Sequence, residues 1–226
     1  MSDEENSIDV NVLVALGPVR LATLLAETAK ANPSMRRRLQ FELSAQKNEN
    51  VPEAVRRWII ELREQTSFLD ADQVDELARE LDAIRAAIVS NVPQAAPKVA
   101  PDLMWQLFTL AGTVYNRTSE QGWEVSQVFD HACADLVKVS IAAEVDPKLF
   151  ATKIVSAISS AQCGQYSALI PAIASAEPWA PTYVSEIEAL LPRSLDEPTG
   201  PNGSKNSERS RVLRRALRDL DSASSA

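Results

Sequence analysis

The sequence predicts an all-α protein, and three observations predict it. Apolar residues recur at helical spacing along nearly the whole chain, prolines stand where helices would begin, and no stretch alternates apolar and polar residues between hairpin turns. Val55, Trp58, Ile59 and Leu62 fall at i, i+3, i+4 and i+7. Val74, Leu77, Leu81, Ile84 and Ile88 continue that pattern over four turns, and Val125, Val128, Phe129, Ala132, Leu136 and Val139 repeat it. The implied architecture is about nine to ten helices in antiparallel pairs, stacked as an α-solenoid or packed as an irregular helical bundle.

Taken in order, a short helix is expected over 9–16, then helices over 18–31, 34–46, 52–66 and 71–91. Asn32-Pro33 and Asp146-Pro147 each pair a capping side chain with a proline at the first helical position, where no N–H is needed. Gly17-Pro18 serves similarly. Asp70 with Gln73, and Thr118 with Gln121, have capping-box spacing. Pro93, Pro97 and Pro101 make a connection, followed by helices over 101–117, 119–143, 147–162, 165–176 and 181–192. Gly164 is placed as a left-handed C-cap, and Pro171 is expected to kink or break its helix. A last helix is expected over 208–221. The implied divisions are an acidic disordered N-terminus (1–9), two helical subdomains (10–92 and 93–192), a Pro/Gly/Ser linker (193–207) and a basic amphipathic C-terminal helix with a frayed end (208–226).

Composition bounds the class. The chain has 226 residues, a formal charge of −8, 45% hydrophobic and 24% charged residues, and only 6 glycines. This is globular usage, not that of a disordered, collagenous or membrane-spanning chain. The acidic start lacks the profile of a secretory signal, and the 2 cysteines form no disulfide framework. A cytoplasmic location is the expectation.

Several short motifs recur in a recognisable order. Leu13-Val14-Ala15-Leu16-Gly17-Pro18-Val19-Arg20-Leu21 leads to Arg36-Arg37-Arg38-Leu39, then Pro101-Asp102-Leu103-Met104-Trp105, then Phe129-Asp130-His131-Ala132-Cys133, then Gly164-Gln165-Tyr166. Over roughly residues 10–175 this resembles an uncharacterised bacterial all-helical family of unknown function. The resemblance implies a soluble, repeat-like helical protein and carries no catalytic residue or ligand with it. Members often continue into a longer helical region, so the resemblance also implies a shortened member.

Few residues suggest chemistry. His131 and Cys133 are two apart, so on a helix they point away from each other and clamp one metal poorly. Cys163 precedes Gly164 at an expected helix end, where the helix dipole disfavours a thiolate. There is no phosphate-binding glycine loop, no zinc-protease motif and no nucleophile elbow. No catalytic, metal or cofactor residue is assigned. Cys133 is expected in the core beside Phe129 and Leu136, with His131 at the surface. Trp58 reads as core, and Trp105 either fills a groove between helices or faces a ligand. Arg36, Arg37 and Arg38 are consecutive, fan around a helix, and read as a solvated end.

The tail is different. Lys205 to Asp219 holds six bases and two acids, net +4, leaving −12 elsewhere. Arg211, Arg214, Arg215 and Arg218 share one helical face, while Leu213, Ala216, Leu217 and Leu220 share the other. Three readings follow. The apolar face docks on the acidic body, or it enters a partner's groove, or the arginines meet nucleic acid or an anionic membrane surface. Four phosphate contacts would make nucleic-acid binding weak and steeply salt-dependent. The functional expectation is a non-enzymatic helical scaffold that binds protein. The alternative is a nucleic-acid-associated accessory protein using the C-terminal helix.

Overall fold

The computed structural model describes residues 9–46, 50–118, 122–161, 163–176, 180–196, 211, 213–216 and 218–220. Among these residues there is no strand. In order the helices are α1 (Val10–Ala15), α2 (Pro18–Ala31), α3 (Pro33–Gln46), α4 (Val51–Arg63), α5 (Ala71–Ser90), α6 (Val92–Ala95), a 3-10 turn at Pro97–Val99, α7 (Ala100–Phe108), α8 (Ala111–Tyr115), α9 (Trp123–Ala142), α10 (Pro147–Ser160), α11 (Leu169–Ala174) and α12 (Ala180–Asp196). Residues 211, 213–216 and 218–220 are also helical. The expected acidic terminus, save Asp9, lies outside the described residues, as does the linker from 197 on.

The capping side chains act as their types require. Asn32 Oδ1 accepts from the Met35 amide at 2.9 Å, and Asp146 Oδ1 from the Leu149 amide at 2.9 Å. Asp70 and Gln73 form a reciprocal capping box.

Other boundaries differ from the pattern for local reasons. The expected helix over 101–117 divides at Thr109. The Thr109 hydroxyl donates to the Gln106 carbonyl at 2.7 Å, and the Thr109 and Leu110 amides bond three residues back rather than four, tightening and ending α7. The Thr118 hydroxyl donates back to the Tyr115 carbonyl at 3.4 Å, and the expected box with Gln121 lies outside the described residues. α9 starts after Gly122. Gly164 does take φ +72°, but Ala161 is the C-cap of α10, so the glycine turns the connection instead. The expected helix over 165–176 is interrupted as Pro171 implied: residues 165–168 are turns, and α11 begins only at Leu169, with Pro171 in its first turn where it costs no helical bond. Pro192 is carried inside α12, which runs to Asp196, so the expected linker begins later than residue 193.

One short helix organises the core. In α7 the residues Ala100, Pro101, Leu103, Met104, Trp105, Leu107 and Phe108 are all buried. A helix apolar on nearly every side must be surrounded, and α7 packs on α4, α5 and α9. α10 packs on α12, and α11 on α9 and α12. One buried cluster runs from Phe41 to Leu220, so the expected division at 92/93 does not separate two cores.

The two longest described helices, α5 and α9, are neighbours though not consecutive in sequence, and they run in the same direction. Arg85 pairs with Asp135, and one cavity runs from Arg85 and His131 back to Asp75 and Trp123. Those positions are ten and twelve residues back along their helices, roughly 15 and 18 Å, and opposed helices would separate them widely. The antiparallel expectation concerns successive helices, and a parallel pair that is not successive is compatible with it. The pair is parallel because α6–α8 return the chain to the starting end.

Candidate functional site

A cavity of about 750 Å³ is an open groove along α5, walled by α3 on one side and α9 on the other. Ala78, Ala83 and Ala86 face it from α5, with Asp75, Arg79, Asp82 and Arg85 beside them. Spacings of three and four residues place this set on one side of a helix. From α9 come Trp123, Gln127 and His131, each four residues after the last, so they form a stripe, with Glu124 and Val128 alongside. Trp123 is 61% exposed at the lip. Arg38 of α3 closes the other side, and a second cavity of about 320 Å³ continues past Arg38 and Arg79 toward Trp58.

The groove's arginines divide into engaged and free. Arg85 Nε donates to Asp82 Oδ1 at 2.8 Å, and its Nη1 pairs with buried Asp135, which Lys138 also approaches at 3.4 Å. Burial pulls Arg85 down, but hydrogen bonds to Asp82 and Asp135 outweigh it, so its guanidinium is held above its ordinary value. Arg38 and Arg79 are exposed and make no ion pair among the described residues.

The α3 wall is fixed by a buried network. Glu80 accepts from Arg37 Nε at 2.5 Å, from Arg37 Nη2 at 2.8 Å and from Trp58 Nε1 at 2.7 Å. The hydrogen bond to Glu80, opposed by burial, raises Arg37. The reading of Arg36–Arg38 as a solvated end is thus wrong for Arg37. Its partner lies 43 residues away on α5, which no local pattern announces.

Other singled-out residues fall as follows. Cys133 is buried, and its Sγ donates to the Gln165 carbonyl at 3.6 Å. Burial, then the nearby Asp130, pushes this thiol up to about 12, so it stays protonated at neutral pH. His131 is exposed on the groove. Trp105 packs against Phe108 and Tyr166, each ring at 6.0 Å, with Lys153 Nζ 5.1 Å from its ring centre, which decides for groove filling. Among the described residues no group of three or more His, Cys, Asp or Glu side chains could hold a metal, and no helix is long and apolar enough to cross a membrane.

The C-terminal helix is docked. Leu213, Ala216 and Leu220 are buried in the main cluster, which is the first of the three readings, the apolar face docked on the body. Leu217 lies outside the described residues. Arg211, Arg214, Arg215 and Arg218 remain exposed, with Arg215 Nε 3.8 Å from Asp219. Sequence reasoning missed the groove itself. The available signal was the stripe of Trp123, Gln127 and His131 at four-residue spacing, polar and aromatic on the side of α9 away from its apolar face.

The fold and groove define an all-helical protein with an open, mixed-charge channel on one continuous core. Within that class the chain belongs to the family of unknown function DUF6880, whose model matches residues 4–221. No curated protein and no solved structure matches it.

Proposed function

We propose that this protein is a non-enzymatic helical scaffold that binds a protein segment in the groove between α3, α5 and α9. The observation that carries this reading is the pairing of an exposed tryptophan, Trp123, with two unengaged arginines, Arg38 and Arg79, around an alanine-lined channel. Tryptophan and arginine supply most of the binding energy at protein interfaces, and small residues let a partner backbone approach closely. The bound segment would carry at least one carboxylate, for which a free guanidinium is a planar two-pronged donor. Asp75 and Glu124 argue against a polyanion in the same groove.

Affinity capture with the full chain tests this, comparing the natural protein with Trp123→Ala and Arg38→Glu/Arg79→Glu. Partners lost from both variants and kept by Arg214→Glu support the groove. Partners retained by both variants would remove it.

A second reading keeps the C-terminal helix as a nucleic-acid contact, favoured by four exposed arginines on one side of a docked helix. Arg214→Glu/Arg218→Glu should then abolish DNA or RNA binding measured across a salt series. Absence of salt-sensitive binding in the natural protein disposes of it.

A further inference from the structure

The cavity of about 320 Å³ beside the groove differs in character from the groove itself. It lies between α3 and α5, with Met35 on one side, and buried Trp58 and Glu80 close its inner end. Its volume stands at the foot of the roughly 300–1,000 Å³ range of ligand pockets, room for a large side chain rather than for a segment passing through. Arg38 and Arg79 line both this cavity and the groove, so they stand where the two meet.

Charge is therefore arranged in two layers. The unengaged guanidiniums are at the mouth, and the carboxylates of Glu76 and Glu80 line the interior. A ligand that fits places negative charge at the mouth and none within. An aspartate or glutamate side chain entering the cavity does the reverse, because it carries its charge inward, where like charges repel. An apolar side chain from a passing segment leaves both guanidiniums facing uncharged peptide backbone. The last residue of a chain meets both demands at once, because its carboxylate and its side chain leave the same Cα. With the side chain inserted, the carboxylate stays at the mouth, where a guanidinium meets it through two parallel N–H···O bonds.

Resting on the groove reading above, we infer that the bound segment is the C-terminus of a partner protein, its last side chain in the cavity between α3 and α5 and its free carboxylate held by Arg38 and Arg79. That last side chain is large and not acidic. The residues before it lie along the alanine floor of the groove. Capture of a terminal carboxylate is one of the recurring modes of peptide recognition.

Short peptides anchored by their N-termini and randomised over the last four positions, made as free acids and as amides, test this against the full chain. Sequences selected from either set are then titrated in both forms by fluorescence anisotropy. The free acid should bind about ten- to a hundredfold more tightly than its amide, as expected for a hydrogen-bonded charge. The last position should exclude aspartate, glutamate and glycine. In Arg38→Gln/Arg79→Gln acid and amide should bind alike, with helical content unchanged, since both arginines are exposed and make no ion pair among the described residues. Equal binding of acid and amide by the natural protein overturns the inference, and if that binding is lost in Trp123→Ala the groove reading survives without it. A failure to select any peptide from either set overturns the inference too, as does a preference for the acid that outlasts the double variant. A preference for the acid that needs both arginines but not Trp123 upholds the terminal carboxylate and removes the wider groove.

Discussion

Replacing Arg37 by methionine tests whether one buried carboxylate holds α3, and with it the groove wall, to the body. Glu80 is 5% exposed and accepts three hydrogen bonds, from Trp58 Nε1 at 2.7 Å and from Arg37 at 2.5 and 2.8 Å. A carboxylate removed from water this far is tolerated only while paired. Deleting one partner of a buried pair costs about 3–5 kcal/mol, mostly the stranded charge. Trp58 still donates in the variant, so the lower end, about 3 kcal/mol, applies. For a chain of 226 residues that is a Tm lowered by about 6–12 °C.

The double variant Arg37→Met/Glu80→Met removes both charges and leaves one orphan indole N–H, worth about 1–3 kcal/mol. It should therefore be no less stable than Arg37→Met alone. Urea unfolding followed by circular dichroism and tryptophan fluorescence gives both midpoints and slopes. An Arg37→Met cost below about 1 kcal/mol, the range of an exposed pair, would refute the reasoning. So would a double variant that loses the sum of the single effects.

Two further predictions concern the rest of the core. Leu220→Ala should destabilise by about 2–5 kcal/mol, as for any core leucine, in a thermal melt, and an effect within about 0.5 kcal/mol would mean that the helix is not docked. Stability should also fall as pH rises above about 9. Burial raises Cys133 from 9.0 to about 12, and holds Tyr115, Tyr166 and Tyr183 above their ordinary value. The unfolded chain deprotonates these groups first, so unfolding releases protons in that window, and stability present below pH 9 is lost toward pH 12. Tm measured from about pH 7 to 11 should decline, less steeply in Cys133→Ala and Tyr166→Phe, and a flat profile would reject the assignment.

The helices were legible because each one's own residues specify it. The apolar stripe of α5 and the capping oxygens of Asn32, Asp70 and Asp146 act within a few residues of themselves, so spacing is sufficient evidence. The break at Thr109 was illegible for the opposite reason. Its hydroxyl could equally have pointed to water, and Arg63, 46 residues earlier, donates to it at 2.7 Å. The direction of α9 relative to α5 was equally hidden, because it follows from how α6–α8 fold back and not from either helix's pattern. The C-terminal helix shows the middle case. Its amphipathic faces were plain in the sequence, but whether Leu213 and Leu220 meet this chain or another is a property of the whole core.

The groove raises the same issue more sharply. Arg37, Arg38, Arg79 and Arg85 are one residue type on two helices, and composition treats them alike. What separates them is subtraction. Glu80 takes Arg37, while Asp82 and Asp135 take Arg85. Arg38 and Arg79 remain, on either side of the same alanine floor. A side chain whose partner belongs to the fold leaves a trace in its pairing, whereas one whose partner belongs elsewhere is visible only once every internal acceptor has been assigned. The exposed valines of α1 follow that logic with apolar surface in place of charge. They have the composition of a core helix, and among the described residues no core closes over them.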